Sequence, residues 1–309
     1  MMIINTGQRT DIPAFYSDWF YNRIKEGYVY VRNPYFPQKV TKYVLDPQVV
    51  DCLCFCSKNP LPMLERLDEI NNFRQFWFIT ITYYLKDVEP YVPHYNEVIR
   101  TFKKFSNKVG KQCIGWRYDP IFINEKYTLE YHLKAFEYIA GELCGYTNQC
   151  VISFIDIYEK TKRNFPAVSE VSLKLQHIMV KEMSKIADRY HMKLYTCLEN
   201  NDFEKYGVIV SGCMSQKVIE DALGISLKMK KSTTREGCSC VLGNDIGAYN
   251  SCLHGCLYCY ANAHKARVVD SYNRHDVHSP FLIGGLKEDD IIMNAKQKSY
   301  IDYQLSLDI

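Results

Sequence analysis

Apolar residues gather in short runs separated by longer segments of mixed character, and the two kinds alternate along the chain. The runs 2–5 (MIIN), 50–56 (VDCLCFC), 76–84 (FWFITITYY), 113–119 (CIGWRYD), 150–156 (CVISFID), 193–199 (KLYTCLE) and 207–212 (GVIVSG) are rich in strand formers and bounded by turn signals. Between them lie helix-like segments at 17–26, 62–71, 95–109, 129–144 and 168–190. Strands alternating with helices point to βαβ units and so to a parallel sheet. A further pair, 28–34 (YVYVRNP) and 39–46 (KVTKYVLD), joined through 35–38, predicts a hairpin inserted after the first helix. No repeat of fixed period and no low-complexity linker interrupts the pattern. The expectation is one α/β structural unit. A TIM-like (β/α) barrel of about seven to eight mostly parallel strands would occupy 1–230, and a cysteine-rich segment, 231–309, would dock at its mouth.

The strand candidates share a second feature: nearly all end in polar residues. Arg9, Thr10 and Asp11 follow the first, and Ser57, Lys58 and Asn59 end the second. Tyr83 and Tyr84 end the third, Arg117 and Asp119 the fourth, Asp156 the fifth, Glu199 the sixth and Ser211 the seventh. In parallel barrels the C-terminal strand ends converge on one mouth, where active sites are built. Helix caps and polar loops account for Ser57 and Ser211. They account less well for Arg117 and Glu199, which stand inside apolar runs where an unpaired charge is costly. Arg9, Asp11, Lys58, Asn59, Arg117, Asp119, Asp156 and Glu199 are therefore candidates for one site that binds a small polar or anionic substrate. Arg117 is suited to a two-pronged grip on carboxylate or phosphate, and Asp119 or Glu199 to moving protons.

Composition narrows the class. A formal charge of +3 over 309 residues, with pI near 8.1, gives no sign of a strongly basic nucleic-acid binder. The start, MMIINTGQRTDIPAFY, lacks a basic region followed by a long apolar run, and no apolar stretch reaches the ~18 residues of a membrane span. A cytoplasmic protein is expected. Thirteen cysteines in a reducing compartment point to metal or redox chemistry rather than to disulfides. Cys52, Cys54 and Cys56 alternate and read as one buried strand face, and Cys113, Cys144 and Cys150 also read as packing.

The run SCLHGCLYCYAN (251–262) differs, because Cys252, Cys256 and Cys259 stand at C-x3-C-x2-C with Tyr258 and Tyr260 on either side of the last. Iron–sulfur clusters normally take four cysteines, so a triplet implies a distant fourth ligand or an iron left open. Zinc is the alternative, with His254 or His264 completing the set, although structural zinc favours C-x2-C pairs. HDVHSP (275–280) offers His275, Asp276 and His278 as ligands for another class, a barrel hydrolase or lyase whose cysteines only staple the tail. An exposed loop with an Asp cap is the simpler reading of that run. Cys197, Cys213, Cys238 and Cys240 form a candidate second site, since adjacent parallel strand ends and a Cys-x-Cys loop could meet at the same mouth. That site would hold another 4Fe–4S cluster or a zinc.

The triplet with its aromatic neighbour resembles the cluster motif of the radical S-adenosylmethionine superfamily. The resemblance implies a 4Fe–4S cluster on Cys252, Cys256 and Cys259, with Tyr258 in the usual aromatic slot. It further implies an open iron that chelates S-adenosylmethionine. One electron, from a donor such as ferredoxin or flavodoxin, would then cleave the latter to a 5′-deoxyadenosyl radical. PFLIGGLKE (280–288) is faintly similar to the glycine-rich strand that holds the methionine amino group in that superfamily. The order departs from the superfamily's, whose motif usually opens the barrel. Only 50 residues follow Cys259, too few for a set of βα units of ~30 residues each. Over nearly the whole chain, RTDIPAFYS (9–17), SKNP (57–60), WRYDP (116–120), VISFIDIY (151–158) and DIGAYNSCLHGCLYCYAN (245–262) together resemble the domain-of-unknown-function family 1848. Its members end in a radical-SAM-like cysteine cluster after a long N-terminal part. That resemblance implies iron–sulfur binding and brings no established reaction.

Overall fold

The computed structural model describes residues 2–166, 168–197, 199–210, 212–228, 240–241 and 244–302. Among them, eleven strands follow in chain order: β1 (Ile3–Asn5), β2 (Tyr28–Arg32), β3 (Lys39–Val44), β4 (Cys52–Ser57), β5 (Gln75–Thr80) and β6 (Ile114–Ile121) come first. Then come β7 (Gln149–Phe154), β8 (Lys193–Thr196), β9 (Ile209–Val210), β10 (Asn244–Asp245) and β11 (Ile291–Asn294).

Eight of these form one sheet in the order β10-β1-β4-β5-β6-β7-β8-β9, and every neighbouring pair is parallel. Parallel neighbours need crossover connections, and the helices Tyr95–Val109, Leu129–Leu143 and Leu173–Arg189 supply them. The order is that of a (β/α) barrel laid open. Among the described residues no hydrogen-bonded pairing joins β9 to β10, so an eight-stranded parallel sheet is shown and its closure is not. The predicted hairpin is present as antiparallel β2 and β3, and β11 extends it by pairing parallel to β3. No helix among the described residues is long and apolar enough to cross a membrane.

Alternation along each strand separates two faces. On one, Ile4, Leu53, Phe55, Trp77, Ile79, Trp116 and Ile152 pack against helix residues such as Phe20, Phe102, Phe105, Phe136 and Met183. Trp77 stacks on Phe55 with centroids 3.8 Å apart, and Trp116 on Phe136 at 4.7 Å. Each such side chain contributes about 1.5–3 kcal/mol by leaving water. On the other face lie Ile3, Cys52, Cys54, Phe76, Phe78, Val151 and Tyr195. Val218, Ile219 and Ala222 of the helix Gln216–Leu223 cover them, together with Cys213, Met214 and Cys240. The alternating cysteines of β4 thus belong to a buried face, as their spacing predicts.

Element boundaries depart from the sequence pattern in several places; the runs 193–199 and 207–212, for example, are strands only over Lys193–Thr196 and Ile209–Val210. The segment expected as a helix over 62–71 is a run of 3-10 turns, Leu61–Ile70, with Pro60 before it and Pro62 in its first turn. The stretch 168–190 is helical only over Leu173–Arg189, and a separate short helix, Glu159–Asn164, precedes it. The run 76–84 is a strand over Gln75–Thr80 alone. Beyond that point Ile81, Thr82 and Tyr84 stay buried in a loop that turns over the strand ends.

Candidate functional site

The segment carrying the triplet lies across loops that leave the C-terminal ends of the strands. Tyr16 Oη donates to Ser251 O at 2.6 Å and Tyr260 Oη to Gln8 O at 2.6 Å, both reaching the loop and helix after β1. Leu257 N donates to Val88 O (3.0 Å) and Tyr91 N to His254 O (3.1 Å), which fixes the triplet against the loop after β5. Lys160 Nζ donates to Tyr260 O (3.0 Å) and Arg163 Nη2 to Ala263 O (2.8 Å), from the helix after β7. Cys259 N closes a turn on Cys256 O at 3.2 Å, and Asn262 Nδ2 donates to Cys252 O at 2.7 Å. Gly255, with φ +70, supplies the left-handed residue the loop needs beside the Tyr91 ring.

Two buried carboxylates organise the surroundings. Asp11 caps the short helix Ile12–Phe15 by accepting from Ala14 N at 3.1 Å. Its other oxygen accepts from Lys58 N at 2.8 Å and faces His254 Nε2 at 2.8 Å. Asp11 therefore ties the ends of β1 and β4 to the residue between Cys252 and Cys256. Glu89 lies 3% exposed, and its Oε1 accepts from Lys58 Nζ (2.9 Å), from Thr82 Oγ1 (2.8 Å) and from Tyr258 Oη. The Lys58 ammonium also stands over the Tyr258 ring, 5.6 Å from its centroid. Burial holds Tyr258 well above the usual phenol range, with the nearby Cys256 and Glu89 adding to the effect, so it serves as a neutral donor.

Burial likewise pushes the three thiols up, and each has a group that opposes the effect. The backbone amide of His254 favours the Cys252 thiolate. Those of Asn262 and Ala261 favour the Cys259 thiolate. Glu89 adds to the upward shift of Cys256, while Lys58 and the Tyr258 side chain favour its thiolate. The three sulfurs influence one another electrostatically, yet they do not close to within 4.8 Å of one another as a second group does.

That second group is Cys197, Cys213 and Cys240, whose sulfurs all lie within 4.8 Å of one another and could hold a metal ion. Cys197 follows β8, Cys213 follows β9, and Cys240 bridges Ser215 in antiparallel fashion. The Cys213 and Cys240 sulfurs are 3.6 Å apart, and Met214 N points at the Cys240 sulfur at 3.4 Å. Arg117 Nη1 donates to Cys213 Sγ at 3.1 Å. Its remaining nitrogens grip Asp119 at 3.0 and 2.6 Å, and Ser153 Oγ adds a contact to Asp119 at 3.4 Å. Donation from Cys197 and Cys240, then the Arg117 charge, hold Cys213 well below the usual thiol range, while Cys197 is pushed up to about 12 by its bond to Cys213. Cys238, the fourth cysteine expected here, lies outside the described residues.

A family model described as a domain of unknown function (DUF1848) matches residues 3–261. The chain belongs to this family. The DUF1848 region takes in all eight strands of the parallel sheet and ends just past Cys259, so both cysteine groups fall within it. No curated protein and no solved structure matches the chain.

The DUF1848 sheet distributes the remaining candidate residues unevenly. Lys58 and Arg117 are linked through the charge of Asp119, which acts on Lys58 and is gripped by Arg117. Arg9 stands apart, 3.9 Å from Asp245 and over the Tyr249 ring. Burial raises the Asp245 carboxyl to about 6. Asn59 N bonds to Ser57 Oγ as an ordinary turn. Glu199 Oε1 accepts from Phe154 N at 2.7 Å, and burial raises its carboxyl to about 7. Asp156 is exposed and accepts from the Tyr158 hydroxyl. In HDVHSP the side chains serve the local turn: His275 Nδ1 meets Leu282 O at 2.7 Å and Asp276 Oδ1 accepts from His278 N. His254 spends its Nε2 on Asp11. Glu89, Thr82, Tyr16 and Tyr260 were not among the sequence candidates. Tyr260 is the sequence neighbour of Cys259 and Thr82 lies just past the end of β5, whereas Glu89 and Tyr16 reach the triplet through the fold alone.

Proposed function

We propose that the chain is an iron–sulfur enzyme of the redox or radical S-adenosylmethionine-like kind, with Cys252, Cys256 and Cys259 as the ligands of a 4Fe–4S cluster. The observation that carries this reading is the docking of the triplet loop across the strand ends, with the Lys58–Glu89 pair beside it. Nearby backbone amides favour the thiolates of Cys252 and Cys259, and the Lys58 charge favours that of Cys256. A purely apolar site would have no use for donors that favour thiolates, whereas metal-bound sulfur is anionic and takes such donors. The spread of the three sulfurs also suits a cluster, in which each ligand sulfur binds a different iron.

When bound, such a cluster supplies electron transfer or Lewis acidity at its open iron. The chain's own residues would do the rest. Lys58, held by Glu89, places a positive charge beside the cysteines, Tyr258 closes the site as a neutral donor, and Asp11 braces the loop through His254. Arg117 and Asp119 would orient a small polar or anionic substrate at the strand ends, in the mouth of a sheet closed as a barrel. A small electron-carrier protein of the ferredoxin or flavodoxin class would supply electrons in the cytoplasm.

The test is anaerobic purification followed by iron and sulfide counts, with EPR of the reduced protein with and without S-adenosylmethionine. The expected result is about four irons and four sulfides on this site, lost when Cys252, Cys256 and Cys259 are all replaced by Ala. An EPR signal that changes on adding S-adenosylmethionine supports the radical chemistry. Unchanged iron in the triple variant rejects the ligand assignment.

A further inference from the structure

We propose that Cys197, Cys213 and Cys240 hold one soft divalent cation of the zinc class, as a centre separate from the triplet and independent of what the triplet binds. The spacing is the first argument. Four ligands placed tetrahedrally at Zn–S distances of about 2.3 Å put their sulfurs about 3.8 Å apart. Cys213 and Cys240 stand at 3.6 Å, and all three sulfurs lie within 4.8 Å of one another. Ligand sulfurs of a cubane bind different irons and stand wider, as those of the triplet do. Three sulfurs gathered this closely describe a single ion.

The second argument is that this convergence is not a local turn. The three cysteines come from three chain segments: the end of β8, the loop after β9, and a stretch bridged back to Ser215. Packing alone could gather three thiols, and the surrounding face is apolar. Packing does not explain why Arg117 aims Nη1 at Cys213 Sγ at 3.1 Å while Asp119 fixes the other two nitrogens. A guanidinium is a strong donor and a thiol a weak acceptor, so the arrangement suits a metal-bound thiolate. The N–H of Met214 makes the same kind of contact with Cys240. Three thiolates leave one coordination position for a further ligand.

The experiment uses the full chain purified anaerobically, with zinc and iron measured together and Co²⁺ as a spectroscopic probe after loading. About one zinc per chain is expected, retained in the C252A/C256A/C259A variant and lost in C213S/C240S, whose triplet iron is unchanged. Loading with Co²⁺ should give thiolate-to-metal charge-transfer absorption and the strong visible bands of a four-coordinate ion. These should disappear in C213S/C240S and persist in C56S, which removes a nearby thiol outside the group. Equal zinc in wild type and C213S/C240S overturns the proposal, and so does loss of four irons rather than one zinc from that variant. If C213S/C240S fails to fold, the wild-type Co²⁺ spectrum decides, because six-coordinate bands without charge transfer also overturn it. Failure of the triplet assignment would appear in the iron count alone, so the two readings fail separately.

Discussion

His132 offers the most quantitative check on the architecture behind the site. It is fully buried in the helix Leu129–Leu143 and braces the strand that carries Arg117 and Asp119. Its Nε2 meets Phe122 O at 2.8 Å, and its Nδ1 meets Tyr118 Oη at 2.8 Å. A carbonyl oxygen can only accept, so Nε2 carries the proton and Nδ1 accepts from the tyrosine. Protonating Nδ1 would remove that acceptor in a buried setting, and burial lowers the pKa from 6.5 to about 4. The folded state therefore refuses a proton that the unfolded state accepts below pH 6.5. Stability attributable to this neutral histidine is complete above pH 6.5 and is lost as pH falls toward 4. At ~1.36 kcal/mol per unit, the full loss is about 3 kcal/mol, more than half of it gone by pH 5. This is a large share of the ~5–15 kcal/mol that holds a typical domain together. Urea unfolding of the wild type and of His132→Gln, from pH 7.5 to 4.5 under argon, measures it. Glutamine can donate to Phe122 O and accept from Tyr118 without titrating, so the stability difference between the two proteins should shrink by that amount as pH falls. Parallel stability curves would refute the argument.

Two further changes probe the strand ends. In Gly7→Ala the new Cβ would stand 2.4 Å from Cys56 O and 2.5 Å from Cys56 Cβ. Neither atom can swing away, so β1 must shift from β4 at a cost of about 1–3 kcal/mol; an unchanged melting temperature would contradict this. Asp11→Asn turns an NH₂ toward donors that now share a carboxylate, Lys58 N, His254 Nε2 and Ala14 N. About 1–3 kcal/mol should be lost, with faster proteolysis within 249–263; equal cleavage rates would show that Asp11 does not brace the triplet loop.

The parts of the fold that follow from local pattern were legible in the sequence, and those that depend on distant pairing were not. Cys52, Cys54 and Cys56 share a face because a strand repeats every two residues, and the same period puts Arg117 and Asp119 side by side. The hairpin of β2 and β3 was equally plain. Strand β11 was missed because all four of its residues are exposed, leaving no buried–exposed alternation to read. The helix Gln216–Leu223 was missed as cover for the sheet, since its apolar residues specify a helix face but not which surface it meets. Glu89 is the clearest omission at the site. It lies in a loop, 31 residues from Lys58 and 169 from Tyr258, and nothing in LKDVEPYV marks it as the acceptor of both. The charge of Arg117 inside an apolar run was a usable signal. Its partners, an acid two residues on and a cysteine 96 residues on, were half visible.

The pairing of β10 with β1 sets a timetable for making the protein. Until β10 is made, β1 is flanked by β4 on one side only. Its other edge, Ile4 and Asn5, waits for Asn244 and Asp245. At ordinary elongation rates that wait is on the order of tens of seconds. During it a short apolar strand presents unpaired amides and carbonyls, the condition under which chains pair with the wrong neighbour. The residues that close this edge directly precede the cysteine triplet, so neither can arrive without the other. The triplet loop is thus completed at nearly the same moment that the open edge of β1 is covered.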